Sequence, residues 1–311
     1  MKETGSATRK SGSGRPRTVR TVANISAVND LVLSQEDAPQ THRTTRQIAR
    51  ETGIHCSSAV RIIRDELRLK CVKKRHGLEL TEAHCIARLS RSKKLLSKFP
   101  ESAVDFIFFT DEKVFTVAPP VNLQNDRVYA PCGTKKRDIA ADRLLRTRPT
   151  FSKSVMVSVA VSKLGCTELI FVEPGVKVDG AYYRDVLLSH QMLSVIRHLA
   201  SDVFVFQQDS ALAHRARATV KYLRQATPEF ISPDLWPPNS PDLNPVNYKI
   251  WGCVQERVYQ KPIRDVDQLK QRLVEVWSDV QQTVVDAAIG EWRKRLRACV
   301  RAKGHHFEHL L

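Results

Sequence analysis

What this sequence lacks narrows it first. Its seven cysteines, Cys56, Cys71, Cys85, Cys132, Cys166, Cys253 and Cys299, are odd in number and scattered, with no C-x-x-C pair among them. That pattern supports neither a zinc knuckle nor a disulfide framework, and it points to a reducing compartment. No apolar run approaches membrane-spanning length, and the N-terminus lacks the apolar core of a signal peptide. An intracellular, soluble chain without a membrane partner is expected. Acidic residues are also short, with 33 Asp and Glu against 50 Lys and Arg, leaving a formal charge of +17. Residues 1–99 hold 21 of the basic residues and 9 of the acidic ones. That unevenness favours a nucleic-acid partner over an evenly solvated surface. At 311 residues there is room for one small and one larger domain.

Residues 1–22, rich in Gly, Ser, Thr and Arg, read as a disordered basic arm. Within it, Gly14-Arg15-Pro16-Arg17 puts Arg15 and Arg17 on a flexible strand suited to a narrow minor groove. A solvated tail is the alternative. Over 23–70 three helices are expected. The first is spaced by Ile25, Val28, Leu31 and Val32, and the second runs from Thr44 to Glu51. After the Thr52-Gly53-Ile54 turn, Ser57 should cap a third helix bearing Val60, Ile62 and Ile63. This is the helix-turn-helix outline, with Ser57, Ser58, Arg61 and Arg64 as candidate DNA contacts on the third helix. Some of these arginines would touch phosphates and position the helix without reading bases. A plain three-helix bundle shares the pattern. Residues 71–99 read as a basic linker and helix. Lys73-Lys74-Arg75 is a nuclear-import candidate, and an amphipathic helix follows through Ala83, Ile86, Leu89 and Leu96. Its Arg88, Arg91, Lys93, Lys94 and Lys98 would lie along phosphates or face solvent.

From residue 100 to 311 the pattern changes to α/β. Strands are expected at 104–110, 114–118, 155–162 and 167–173, then a helix from Lys177 to Leu199 and an apolar strand ending at Asp209. Helices follow at 215–225, from Asn244, and over 264–280 and 285–302. Asp111 closes the first apolar run in Phe108-Phe-Thr-Asp-Glu-Lys113, as Asp209 closes Val203-Phe-Val-Phe206. In open α/β sheets function gathers at the carboxyl ends of strands. Two carboxylates meeting there would repel unless a cation lay between them, so a divalent metal site is the economical reading. The stretch Trp236 to Gly252 enters a helix through Ser240-Pro-Asp-Leu-Asn-Pro245, with Asn244 as cap and Pro245 at the first position. Asn247 then falls in the first turn, ahead of an apolar stripe of Ile250, Trp251, Val254 and Val258.

These three stretches, in this order, resemble those of the mariner-superfamily transposases. Asp111 in Thr110-Asp-Glu-Lys113 matches the family's first acid, and Asp209 in Gln207-Gln-Asp-Ser-Ala-Leu-Ala-His214 matches its second. The third acid follows SPDLNP at the second residue beyond the proline, and here that residue is Asn247. Thirty-seven residues separate Asp209 from Asn247, the interval of a branch whose third acid is Asp. The resemblance implies a ribonuclease H-like domain over 100–311, preceded by the all-α helix-turn-helix domain. It further implies a two-metal site for Mg²⁺ or Mn²⁺ and metal-dependent DNA cleavage and strand transfer, a transposition activity acting on inverted-repeat ends of double-stranded DNA in the nucleus. The segment Val121–Pro149 resembles the clamp loop that reaches a partner subunit, implying a homodimer; a free basic loop is the alternative. The family carries two helix-turn-helix units, and this chain begins at the linker before the second, so weak discrimination of transposon ends is expected.

With Asn247 in place of an acid, the metal ligands become Asp111, Asp209 and an uncharged amide, and a weakened two-metal site is expected. Neither Asp242, which precedes the helix, nor Glu256, about 13 Å further along it at 1.5 Å per residue, is a convincing substitute. Glu112 should point away from Asp111 in an extended chain. His214 reads as a packed neighbour of Asp209 rather than a direct participant. Gly304-His-His-Phe-Glu-His309 looks like a metal tract without a second ligand cluster in sequence. The leading expectation is a transposon-derived DNA-binding protein impaired in catalysis. Its rivals are an active transposase that tolerates Asn247 and a host-adopted DNA-binding regulator.

Overall fold

A computed structural model of the chain describes residues 19–33, 43–70, 77–120, 131, 134–140 and 151–311. The chain divides into two compact units, Met1–His76 and Gly77–Leu311. Arg15, Arg17, the Lys73-Lys74-Arg75 cluster and most of the segment expected to be a clamp loop, including its Arg143, Arg146 and Arg148, lie outside the described residues.

In the first unit, α1 (Val22–Leu33), α2 (Thr45–Thr52) and α3 (Cys56–Arg61) follow one another. The Thr44 hydroxyl accepts the Gln47 N–H while the Gln47 side chain accepts the Thr44 N–H, a reciprocal cap for α2. Gly53, at φ +67°, ends that helix in the left-handed region a side chain would resist. The cap of α3 is His55 rather than Ser57. Its Nδ1 accepts the Ser57 N–H at 3.3 Å, so Ser57 lies in the first turn. Beyond Arg61 the helix widens, with Leu67 N–H reaching Ile62 O at 2.9 Å. Val28, Ile48, Ile54, Ala59 and Ile62 form the core. Val60, expected inside, is exposed, because the inward row of α3 runs through Ala59 and Ile62.

The second unit is built on a six-stranded sheet ordered β3-β2-β1-β5-β6, with β4 also on β2. Its strands are β1 (Ile107–Thr116), β2 (Ser154–Ser162), β3 (Gly165–Cys166), β4 (Ile170–Val172), β5 (Val205–Gln207) and β6 (Glu229–Ile231). β1 runs antiparallel to β2 and parallel to β5, which is parallel to β6. The separate strands expected at 104–110 and 114–118 are one strand, β1. The charged Asp111-Glu112-Lys113 breaks the apolar run but not the pairing, since Asp111 lies opposite Val159 and Lys113 opposite Val157. Val104 instead ends a short helix, α5 (Glu101–Val104). The strand expected at 167–173 shrinks to β4, and β6 was not foreseen.

Helices cover both faces of the sheet. They are α4 (Glu82–Lys98), α6 (180–200), α7 (Arg217–Ala226), α8 (245–258), α9 (Val266–Ser278), α10 (Gln282–Gly290) and α11 (Trp292–Arg301). Alternation along β1 sends Ile107, Phe109 and Phe115 into a core with Trp251, Leu269, Ile289 and Trp292. Phe108 faces the opposite core, with Phe206, Tyr183, Leu187 and Leu223. α4 belongs to this unit, because its buried row of Cys85, Arg88, Ser92 and Leu95 packs with α11. Two of its expected phosphate contacts are therefore corrected. Arg88 is wholly buried, and Arg91 donates to the carbonyls of Pro233 and Trp236 at 2.9 and 2.8 Å. Lys93, Lys94 and Lys98 remain exposed, while Ile86, expected on the apolar face, points to solvent.

Candidate active site

The parallel pairing of β1 with β5 ends at Phe109 opposite Gln207. Asp111 stands two residues further on one strand and Asp209 two residues beyond the other, so both emerge at the same carboxyl edge. Asp111 is thus mid-strand rather than at a strand end, yet at the end of the parallel ladder. Alternation sends Asp111 to the face shared with α8 and Glu112 to the opposite face.

The entry to α8 is tethered to β1. Pro241–Leu243 forms a single tight turn, and Asn244 follows in an extended conformation. The Asn244 Oδ1 accepts the Val246 N–H at 3.1 Å, and its backbone carbonyl accepts the N–H groups of Asn247 and Tyr248, each at 2.9 Å. Its Nδ2 donates to Thr110 O at 2.9 Å. Asn244 therefore caps the helix and fixes it one residue before Asp111. Asn247 then donates from Nδ2 to Asp111 Oδ2 at 2.9 Å. One turn on, Trp251 donates its indole N–H to the same oxygen at 2.7 Å. Trp251, expected only as core, was visible in principle, being four residues from Asn247 on one helix face.

Asp111 is 6% exposed, and burial, reinforced by the charges of Glu112 and Asp209, pushes its pKa up to about 8. The Trp251 hydrogen bond opposes that rise without cancelling it. Without a cation, Asp111 therefore keeps its proton near neutral pH. Because Oδ2 already accepts two N–H groups, the proton belongs on Oδ1.

On the other face, His214 bridges two carboxylates. Its Nδ1 lies 2.5 Å from Asp209 Oδ1 and its Nε2 3.3 Å from Glu112 Oε2. The ring is buried and stacks against Tyr183, with 4.1 Å between centroids. Burial alone would drive the proton off, but Glu112 and Asp209 outweigh it and raise the His214 pKa to about 10. Burial likewise works to raise Asp209, and the His214 hydrogen bond and charge overcome it, holding Asp209 below the ordinary carboxylate value. Ser158 donates to Glu112 Oε1 at 2.9 Å. This side of the site is a fixed relay, Asp209–His214–Glu112–Ser158, whose members beyond Asp209 and His214 had no local sequence signal.

The oxygens left over define what the site could hold. Asp209 Oδ1 accepts from both His214 and the Ala211 N–H, and Asp111 Oδ2 accepts from Asn247 and Trp251. Each carboxylate keeps one oxygen without a hydrogen bond among the described residues. Two carboxylate oxygens and an amide carbonyl are hard ligands, which fit Mg²⁺ or Mn²⁺. A cleft of about 250 Å³ bordered by Asp209, Trp236, Asn244 and Asn247 opens onto Asp209 and Asn247. In the first unit, Ser57, Arg61 and Arg64 are exposed and Ser58 is half-buried. Arg64 is not free, since its Nε donates to Asp65 at 3.1 Å. Arg20 in turn pairs with Glu66 at 2.9 Å.

No protein-family model matches the chain. It is similar to the Tc3 transposable-element transposase of Caenorhabditis elegans, 27% identical over 283 residues that take in 85% of this chain and 80% of that protein. Among solved structures it resembles the Mos1 transposase paired-end complex with left transposon end, at a TM-score of 0.72 and 21% identity, over 95% of this chain and 82% of the other. A Mos1 mariner paired-end complex with Mg matches at a TM-score of 0.74 and 20% identity, over 97% and 84%. The structural likeness is one of fold, an α/β ribonuclease H-like unit preceded by a helical one.

Proposed function

We propose, given that the chain belongs to the mariner/Tc1 family of transposases, that it is a nuclear protein that binds double-stranded DNA and whose strand-cleaving site is weakened at Asn247. The observation behind this reading is the 2.9 Å hydrogen bond from Asn247 to Asp111. An acid at position 247 would set two carboxylates against each other, and their repulsion would draw in a cation. The amide removes the repulsion and covers one Asp111 oxygen with a donor. A Mg²⁺ or Mn²⁺ ion bound by Asp111, Asp209 and the Asn247 carbonyl would polarise a phosphodiester and acidify an attacking water. Binding it requires Asn247 to turn its carbonyl inward and Asp111 to lose its proton. The relay through His214 keeps Asp209 ionised and aimed. Two such ions bring four positive charges against two carboxylates, so the second is held poorly.

Strand nicking by the full chain and its Asn247→Asp variant, on the same duplex in Mg²⁺ and in Mn²⁺, tests this. A restored acid is worth a few kcal/mol, and each ~1.4 kcal/mol is tenfold in rate. The variant should therefore nick faster by about 10²-fold or more. Equal rates would make Asn247 a competent ligand and the chain an active transposase.

A further inference from the structure

In sequence, Gly304-His-His-Phe-Glu-His309 has no second ligand cluster. In the fold it acquires one. We propose that Asp242, His306 and Glu308 form a second metal site, for a divalent first-row transition ion, that ties the C-terminal turn to the loop ahead of α8. One ligand atom from each residue lies within 4.8 Å of the other two. None of the three belongs to the Asp111–Asp209 site.

The hydrogen bonding around the cluster favours a cation over a chance gathering of polar groups. His306 Nε2 is 2.9 Å from the carbonyl of Leu78. A carbonyl only accepts, so Nε2 carries a hydrogen, and in the neutral ring Nδ1 then presents a lone pair. Metal-bound imidazoles commonly have this arrangement, one nitrogen donating to a carbonyl and the other free to ligate. Nδ1 faces Glu308 Oε2 at 3.9 Å. Two ligands each ~2.0–2.2 Å from an ion stand at most ~4.3 Å apart, so this gap already suits a shared ion. Asp242 is the third member of the group. It is held from behind by Arg88, whose guanidinium donates to both carboxylate oxygens at 3.0 and 2.6 Å. Arg88 thereby orients Asp242, and each carboxylate oxygen keeps a second lone pair. His306 Nδ1, the Arg88-held Asp242 carboxylate and Glu308, whose Oε2 also accepts the Phe307 N–H at 3.1 Å, then gather as three groups able to ligate. One imidazole nitrogen with two carboxylate oxygens suits Zn²⁺ or Mn²⁺, whereas Mg²⁺ prefers an all-oxygen set. The neighbouring His305 is engaged elsewhere, its Nδ1 3.4 Å from Cys85 Sγ.

Calorimetric titration of the full chain at pH 7 with Zn²⁺, and separately with Mn²⁺, is the test. One bound ion should survive Asp111→Asn, His305→Ala and His309→Ala. The same ion should weaken by more than ~10-fold in His306→Ala. Glu308→Gln, near the chain's exposed end, should weaken it as well and guards against a variant that merely misfolds. No saturable binding would overturn the proposal, as would titrations alike across all variants. Loss on His305→Ala would overturn it in favour of a Cys85–His305 pair. A lower melting temperature in His306→Ala without any ion binding would mean that His306 is simply protonated and paired with Glu308.

Discussion

At the scale of single residues, the proton on Asp111 is the feature most open to measurement. Its folded pKa of about 8 lies above the ordinary 3.8, so the folded state holds a proton that the unfolded chain releases. The stability this gives is full below pH ~4, declines as pH rises, and is gone once pH passes the folded value. The slope is at most ~1.4 kcal/mol per pH unit, and for a domain of about 200 residues ~1 kcal/mol is worth ~2–4 °C. In EDTA, the melting temperature of Asp111→Asn should therefore gain on that of the native chain between pH 5 and 9. Adding Mg²⁺ should shrink the gap, because the cation favours the ionised carboxylate. A gap that stays constant with pH would mean Asp111 titrates normally. The alternation that separates Asp111 from Glu112 was readable from an extended chain, as was the neighbourhood of Asp209 and His214. The Asp111 environment was not, because Trp251 and the burial come from α8 docking across the sheet.

Elements tell a similar story, with α4 as the sharpest case. Its apolar letters Ala83, Ile86, Leu89 and Leu96 suggested one face, while the face that packs is Cys85, Arg88, Ser92 and Leu95. No periodicity could select a row containing arginine, because the partners that make its burial tolerable lie more than 150 residues away. Arg88 donates to Gly304 O at 2.8 Å, Asn239 O at 3.2 Å and Ser240 Oγ at 2.6 Å besides Asp242. β6 was missed for a related reason, since three residues become a strand only once β5 lies beside them. β1 was found but split, because its charged middle imitates a boundary. The Arg88 hub also explains the Ser240-Pro241-Asp242 turn as the anchor that aims α8 toward Asp111. Breaking a buried pair from one side typically costs ~3–5 kcal/mol, since it strands the remaining charge. Arg88→Met and Asp242→Leu should each destabilise the chain in urea unfolding, and the double variant should cost less than their sum by ~0.5–3 kcal/mol. Strict additivity would leave the pair without coupling.

On the scale of the whole molecule, charge is what the sequence conveyed most directly, and it bears on DNA. The excess of +17 predicts that phosphate contacts dominate affinity, so binding should weaken steeply with salt. The first unit refines which residues contribute. Ser57, Arg61 and Arg64 recur at helical spacing on the exposed side of α3 and its extension, but the two arginines differ in what they offer. The Arg64 Nε already donates to Asp65, and that hydrogen bond holds the Asp65 carboxyl below its ordinary pKa. A guanidinium that arrives paired has part of its charge compensated before it meets a phosphate. Arg61 has no such partner among the described residues. In EDTA, which prevents cleavage, the full chain's affinity for a duplex should fall linearly in log salt, by ~0.9 per neutralised phosphate. Arg61→Ala should flatten that slope by ~0.9 and weaken binding to any duplex. Arg64→Ala should flatten it less, and Asp65→Asn, which frees Arg64, should steepen it. A slope unchanged by Arg61→Ala would remove α3 from the DNA contact, and equal effects from both arginines would mean the Arg64–Asp65 pair opens on binding.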